Sequence, residues 1–174
     1  MSNSELRIAI SGKSGCGNST VSKILSDKLN CTMVNYTFHN IAKEQGIDFK
    51  EFCLMAEKDP KWDFHVDKKQ IELAMESSSV LGSRLAIWML EKADLKVFLT
   101  ASPEIRAKRI LTREGGDLKQ IMADTEARDS RDSARYKRLY DIDNSEYGFS
   151  DLIINTDNLD AERVAAIILA AVAK

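Results

Sequence analysis

The segment ISGKSGCGNST, residues 10–20, constrains the fold more than any other part of this chain. Its glycines and Ser19 follow the P-loop spacing G-x-x-x-x-G-K-[ST], except that Asn18 stands where that pattern has lysine. An apolar run precedes the segment, and helical periodicity follows it. One helix face carries Val21, Ile24, Leu25 and Leu29. A strand, a glycine-rich loop and a helix in this order predict a site that binds phosphate through backbone N–H groups and the helix N-terminus.

Short apolar runs and helical stretches alternate along the rest of the chain. The predicted strands are Leu6–Ile10, Thr32–Asn35, Ser79–Gly82, Leu95–Leu99 and Leu152–Asn155, and the last predicted helix is Ala161–Ala173. This alternation predicts an α/β fold in one domain, 1–174, with a parallel sheet of five strands between two layers of helices. Two long intervals interrupt it: 38–78, with room for about two helices, and 103–149. Both are expected over the carboxyl edge of the sheet, where such folds bind ligands.

The residues of the P-loop are each expected to serve nucleotide binding. The predicted ATP-binding set is Gly12, Lys13, Ser14, Gly15, Cys16, Gly17, Asn18, Ser19 and Thr20. Ser19 is placed to ligate Mg²⁺, and Thr20 to bond a phosphate oxygen. Since Asn18 brings no charge, another cation must stabilise the transferring phosphoryl group, and Lys13 could either swing in or point to solvent. Cys16 lies beside a helix N-terminus, so we expect a lowered thiol pKa and loss of ATP binding on alkylation.

Arginine recurs at helical spacing in the second long interval. One predicted helix, ending at Gly115-Gly116, carries Arg106, Arg109 and Arg113, and a second carries Arg128, Arg131, Arg135 and Arg138 in one stripe beside Asp132. Guanidinium groups suit phosphate oxygens. The alternative is a solvated helix face whose arginines pair with Glu126, Asp129 and Asp132. Beside a P-loop, the pattern favours a lid that closes over the transferring phosphate.

Composition narrows the classes of function. The formal net charge is -2 and the pI is about 5.8, which argues against nucleic acid as a partner. The positive charge is local, with 10 Lys/Arg against 7 Asp/Glu between Glu104 and Arg138. No apolar run is long enough to span a membrane and no export signal is evident, so a cytoplasmic protein without a membrane partner is expected. Three cysteines without metal-ligand spacing are expected to be free thiols.

On these motifs the chain resembles nucleoside monophosphate kinases, most closely the archaeal-type cytidylate kinases. The segments that carry the resemblance are SGKSGCGNST, DFKEFCLMAEKDPKWDFHVDKKQ, VLGSRLAIW, RAKRILTREGGD, RDSRDSARYKRLYDID and DLIINTDNLD. The resemblance implies a three-layer P-loop NTPase fold with a helical acceptor-binding insert at 38–78 and a lid at 110–133. It also implies a monomeric enzyme that uses ATP and Mg²⁺ to phosphorylate a pyrimidine monophosphate, CMP or dCMP, with small-molecule nucleotides as its partners.

The resemblance also assigns roles to residues. It implies catalytic roles for Arg113, Arg128 and Arg131, and acceptor binding by Arg84, Asp132 and Arg135. From the residues themselves, Lys13 is a further candidate for the catalytic cation. Asp67 could accept from an exocyclic amine of the acceptor or serve as a cap or surface residue, and His39 could contact the acceptor phosphate or have a surface or packing role. The chain departs from the family pattern at Asn18, where the family has a small hydroxyl residue, at His39, where it has arginine, and at Leu81-Gly82-Ser83, where an acidic residue ends the strand. Two alternatives stay open: a P-loop kinase of another small metabolite, and a module that senses ATP without turnover.

Overall fold

The computed structural model describes residues 5–172, whose centre is a parallel sheet of five strands. The strands are β1 Arg7–Gly12, β2 Thr32–Val34, β3 Ser79–Gly82, β4 Leu95–Thr100 and β5 Leu152–Asn155. Their spatial order is β2-β3-β1-β4-β5, so β1 occupies the middle and every pairing is parallel. The predicted α/β fold is therefore confirmed, with each predicted strand found within one or two residues of its place.

Eight helices lie in the described part of the chain. They are α1 Asn18–Leu29, α2 Phe38–Gln45, α3 Phe49–Lys58, α4 Lys61–Met75, α5 Ala86–Met89, α6 Pro103–Glu114, α7 Leu118–Tyr140 and α8 Ala161–Val172. The interval 38–78 holds three helices rather than the two expected, because Gly46 and Pro60 stand at two breaks in it. Of the predicted last helix, Ala173 lies outside the described residues.

Alternation along the central strands separates two hydrophobic clusters, one on each face of the sheet. Ile8, Ile10 and Val97 pack with α1 and α8, whereas Ala9 and Phe98 pack with α4 and α5. Successive strand residues point to opposite faces, and both faces are apolar because helices cover both. These layers fix β1 in the middle of the sheet, and with it the position of the loop that follows β1.

The three helices of the interval 38–78 have a hydrophobic cluster of their own. Phe52 of α3 is fully buried there, against Ile41 of α2 and Val66 of α4. Edge-on aromatic contacts to Phe38 and Trp62 complete its surroundings. The interval therefore forms a small helical unit beside the sheet.

Two arginine-bearing helices follow β4, as predicted. α6 ends before Gly115 and Gly116, whose φ angles of 74° and 109° reverse the chain into α7. The 23-residue α7 begins with Asp117 as its N-cap, which accepts from the Gln120 N–H at 2.9 Å. Between residues 5 and 172, no helix has the length and apolar character needed to cross a membrane.

Candidate active site

The P-loop joins β1 to α1 at the carboxyl edge of the sheet. Gly15 and Gly17 have φ angles of 83° and 103°, a region that other residues avoid because of their Cβ atoms. These angles turn the chain back into the N-terminus of α1. No side chain of the described residues caps that helix end, so its first N–H groups are available to an anion.

A cavity of about 440 Å³ opens in front of the α1 N-terminus. The P-loop forms one wall, and the end of β3 and two α6 arginines form the others. The cavity is lined by every predicted ATP-binding residue except Cys16, together with Gly82, Ser83, Arg84, Arg109 and Arg113. Its backbone donors and arginines suit it to a chain of phosphates.

A second pocket of about 150 Å³ adjoins the outer side of the P-loop. Cys16, Thr20 and Arg109 line it on one side, and Thr156 and Leu159 on the other. One hydrogen bond joins the two sides across 140 residues of sequence, from Thr156 Oγ1 to the Cys16 carbonyl at 3.3 Å. The β5–α8 connection lies in the segment DLIINTDNLD, which carries part of the resemblance, but sequence reasoning assigned none of its residues to the site.

Two arginines of α6 bind the outer carbonyl groups of the P-loop. Arg106 Nε donates to the Ser14 carbonyl at 2.7 Å, and Arg109 Nη1 donates to the Gly15 carbonyl at 3.2 Å. Arg109 Nη2 also donates to the Thr156 carbonyl at 2.6 Å. In a trans peptide the C=O and N–H point in opposite directions, so a carbonyl held outward turns the next N–H the other way. Two arginines of the predicted stripe thus orient the loop backbone.

Lys13 extends from the P-loop toward α7. Its Nζ lies 3.9 Å from Asp129 Oδ2, and its side chain is 49% exposed. The same carboxylate oxygen lies 2.7 Å from Nη2 of Arg106, which is buried. Lys13 therefore remains at the mouth of the phosphate cavity, facing α7 rather than open solvent alone.

Asn18 closes the P-loop on itself. Its Nδ2 donates to the Gly12 carbonyl at 2.8 Å, six residues earlier. Its Oδ1 is buried and has no hydrogen-bond partner within residues 5–172. The residue in the lysine position thus stabilises the loop conformation and adds no charge to the cavity.

Most of the predicted acceptor-binding residues meet between α7, α4 and the end of β3. Arg84 pairs with Asp132, and burial lowers the pKa of Arg84. Arg135 pairs with Asp63 of α4, a partner that sequence reasoning missed. Asp129 and Asp132 of α7 therefore pair with arginines of other elements, and not along α7 as the solvated-face alternative required.

Asp67 of α4 takes part in the same contact between α4 and α7. The Tyr140 hydroxyl donates to its Oδ2, and burial raises the pKa of Asp67 to about 6. The neighbouring Asp63 raises it further, whereas the Tyr140 hydrogen bond and Arg135 lower it. Only Oδ2 has a hydrogen bond from the described residues, so Oδ1 is available to a ligand donor.

The remaining predicted site residues lie around the periphery of the site. His39 is exposed and its ring stacks on Phe49, with centroids 3.4 Å apart. Arg113 lines the phosphate cavity and pairs with Glu114. Arg131 lines a groove of about 310 Å³ between α7 and the α3–α4 region. Within residues 5–172, Arg131 and the exposed Arg128 of the same helix have no ion-pair partner.

Cys16 differs from the sequence-based expectation. Its side chain is 3% exposed, and desolvation raises the thiol pKa more than the nearby arginines lower it. The expectation of a lowered pKa from the helix N-terminus was wrong because the thiol packs into the core beside α1 and β1.

Gly82 ends β3, within the run Leu81-Gly82-Ser83 where the resemblance predicts an acidic residue. A Cβ atom at this position would lie 2.2 Å from Ser22 Oγ and 3.0 Å from Ser22 Cβ. α1 thus packs directly on the strand end and leaves no room for an acidic side chain. In this chain an acidic side chain at position 82 would overpack the contact with Ser22.

Comparison with known proteins agrees with this geometry. Residues 7–158 match the model of the cytidylate kinase-like family. Cytidylate kinase 2 of Borreliella afzelii is 42% identical over 167 residues, which cover 94% of each chain. Cytidylate kinase of Archaeoglobus fulgidus is 39% identical over 170 residues, covering 96% of this chain and 94% of its own length. The solved shikimate kinase of Bacteroides thetaiotaomicron shares the fold, with a TM-score of 0.63 at 16% identity over 96% of this chain and 98% of its own.

Proposed function

Because the chain belongs to the cytidylate kinase-like family, we propose that it transfers the γ-phosphoryl group of ATP to CMP or dCMP. Membership in this family makes it an ATP-dependent nucleoside monophosphate kinase. The observation that carries the finer proposal is the arrangement of the site. Arg84 lines the phosphate cavity at the P-loop and pairs with Asp132 of α7. On the same helix, Arg135 pairs with Asp63 of α4.

The donor is proposed to span the two adjoining pockets of the P-loop. The triphosphate would lie in the larger cavity, on the loop N–H groups and the N-terminus of α1. The smaller pocket, which combines Val21 and Val164 with the guanidinium of Arg109, suits a purine base. Arg109 would then serve both halves of the nucleotide, because it lines both pockets and also holds the P-loop.

Asn18 has no charge, so we propose that side chains around the P-loop supply the positive charge that stabilises the transferring phosphoryl group. Lys13 and Arg113 line the cavity, and Arg128 and Arg131 lie on α7, across the Gly115-Gly116 reversal. An acceptor phosphate oxygen would attack the γ-phosphorus and form the new P–O bond. The bond to the oxygen that bridges to the β-phosphorus breaks, and its electron pair leaves with ADP. The protein contributes position and charge, and needs no nucleophile of its own.

Mg²⁺ is proposed to arrive with ATP and to be held by the Ser19 hydroxyl. Residues 5–172 contain no cluster of three or more His, Cys, Asp or Glu side chains that could hold a metal. Ser19 is exposed in the first turn of α1 and lines the cavity. A single protein oxygen fits a cation that takes most of its ligands from phosphates and water. When bound, Mg²⁺ would neutralise phosphate charge.

The acceptor is proposed to lie against α4 and α7, where it would displace their internal ion pairs. Arg84, Asp132 and Arg135 would then exchange carboxylate and guanidinium partners for the phosphate and sugar of the acceptor. Asp67 Oδ1 would accept from the exocyclic amine of cytosine, which is the donor that distinguishes cytosine from uracil. His39 is proposed at the rim of this site.

A coupled ADP-release assay with Mg-ATP against CMP, dCMP, UMP, AMP and GMP tests the proposal. Turnover with CMP or dCMP well above the other three is expected. Arg131→Ala should lower kcat by roughly 100-fold or more while calorimetric ATP binding stays within about twofold. Arg163→Ala, an exposed arginine on α8, serves as the matched control and should keep wild-type kcat. ATP binding with no turnover of any acceptor would contradict the proposal.

A further inference from the structure

Asp129 joins the P-loop to α7 through two cations. Its Oδ2 lies 2.7 Å from Arg106 Nη2 and 3.9 Å from Lys13 Nζ. Arg106 in turn donates to the Ser14 carbonyl at 2.7 Å. The contacts run from Ser14 through Arg106 and Asp129 to Lys13, which precedes Ser14 in the chain. One carboxylate of α7 therefore closes a ring of polar contacts around residues 13 and 14.

The ion pair between Arg106 and Asp129 in this ring is shielded from solvent. The Arg106 side chain is 6% exposed and that of Asp129 is 13% exposed. A buried guanidinium that loses its carboxylate is left uncompensated, which costs far more than breaking an exposed pair. Removing the charge of Asp129 is therefore expected to disturb Arg106, and through it the peptide between Ser14 and Gly15.

We propose that Asp129 is a positioning residue for ATP. It holds Lys13 at the mouth of the phosphate cavity and, through Arg106, keeps the Ser14 carbonyl turned outward so that the Gly15 N–H faces the phosphates. The inference rests on the proposed location of ATP, and it assigns Asp129 a role in donor binding that the local sequence does not indicate. It also couples α7, which carries Arg128 and Arg131, to the loop.

Calorimetric titration with Mg-ATP and no acceptor tests the proposal. Asp129→Asn is expected to raise the Kd for ATP about 10-fold, and Asp129→Glu, which keeps the charge, about threefold or less. Lys13→Met should also raise the Kd, and the loss in the Lys13→Met/Asp129→Asn double variant should be smaller than the product of the two single losses, because part of the Asp129 effect passes through Lys13. Asp27→Asn, which breaks the exposed Lys23–Asp27 pair on α1, is the control and should leave the Kd unchanged.

Three results would overturn the proposal: wild-type affinity in Asp129→Asn, equal losses in the Asn and Glu variants, or a double variant whose loss is the product of the single losses. If Asp129→Asn does not fold, Lys13→Met decides, since wild-type affinity there would also refute the coupling. The readout is donor binding alone. A chain that bound ATP but phosphorylated no pyrimidine would refute the proposed function and leave this result intact.

Discussion

Gly82→Ala is a substitution whose cost can be worked out from the packing at the end of β3. The added Cβ would lie 2.2 Å from Ser22 Oγ and 3.0 Å from Ser22 Cβ. The hydroxyl can rotate away, but Ser22 Cβ is fixed to the backbone of α1. β3 cannot yield easily either, because it is paired with β1 on one side and β2 on the other. Overpacking of this kind costs about 1–3 kcal/mol, and we expect a loss of about 2 kcal/mol in the free energy of unfolding.

A double-mutant cycle with Ser22→Ala measures how much of this loss of stability comes from the contact with the Ser22 hydroxyl. Ser22 Oγ is buried without a hydrogen-bond partner among the described residues. Ser22→Ala alone should therefore be neutral, or stabilise the fold by up to about 1 kcal/mol, because no hydrogen bond is lost. In the Gly82→Ala background it also removes the closer of the two contacts, and should stabilise the fold by about 1 kcal/mol more than it does in the wild type.

Urea unfolding at 25 °C, with free energies compared at a common m value, measures these differences. Gly148→Ala is the control, since a Cβ there would have no atom within 4 Å, and its effect should stay within about 0.5 kcal/mol. A Gly82→Ala variant as stable as wild type would refute the reasoning. So would strictly additive effects in the cycle, since the two side chains would then not be in contact.

The remaining predictions concern Asp67 and Cys16. Because burial raises the pKa of Asp67 to about 6, its carboxylate is a charged, stronger acceptor for the cytosine amine above pH 6, and protonation as the pH falls through 6 leaves a weaker, neutral acceptor. The KM for CMP of Asp67→Asn divided by that of wild type should therefore be about 10 at pH 8 and near 1 at pH 5. The ratio cancels the titration of the CMP phosphate, and a ratio constant with pH would count against this role. For Cys16, burial predicts that iodoacetamide modifies the partly exposed Cys31 and Cys53 before Cys16 in the native chain, as read by peptide mass spectrometry. Fast labelling of Cys16 with loss of ATP binding would restore the original expectation.

The layered fold could be predicted from the sequence because its signals are local. Strand runs such as Ser79–Gly82 and Leu152–Asn155 were placed to the residue, since buried parallel strands read as short apolar runs between breaks. The glycine spacing of the P-loop and the helical spacing of the arginines are local patterns too. The third helix of the insert was missed because its boundary at Pro60 was not counted as a break.

Partner choice within the site could not be predicted, because it depends on which elements meet. Arg106 and Arg113 share one stripe by spacing, yet Arg106 lies buried against the P-loop and Arg113 stays near solvent. Asp129 and Asp132 have equivalent neighbours in sequence, but one pairs with α6 and the P-loop and the other with the end of β3. For Cys16, the sequence predicted the proximity of the thiol to a helix N-terminus, but it did not predict that the thiol is buried.

The Gly115-Gly116 reversal gives α7 the properties of a lever. If α7 rotated about these two glycines, both of which have positive φ angles, its 23 residues at about 1.5 Å each would form an arm of roughly 35 Å. Arg131 lies about 20 Å along that arm, so a swing of about 10° at the pivot would displace it by roughly 3 Å, about the length of one hydrogen bond. The ion pairs of Asp129 and Asp132 hold α7 in its present position. A ligand that breaks these ion pairs would leave α7 free to make this movement. A small rotation at two exposed glycines would then become a displacement of several ångströms at the arginines.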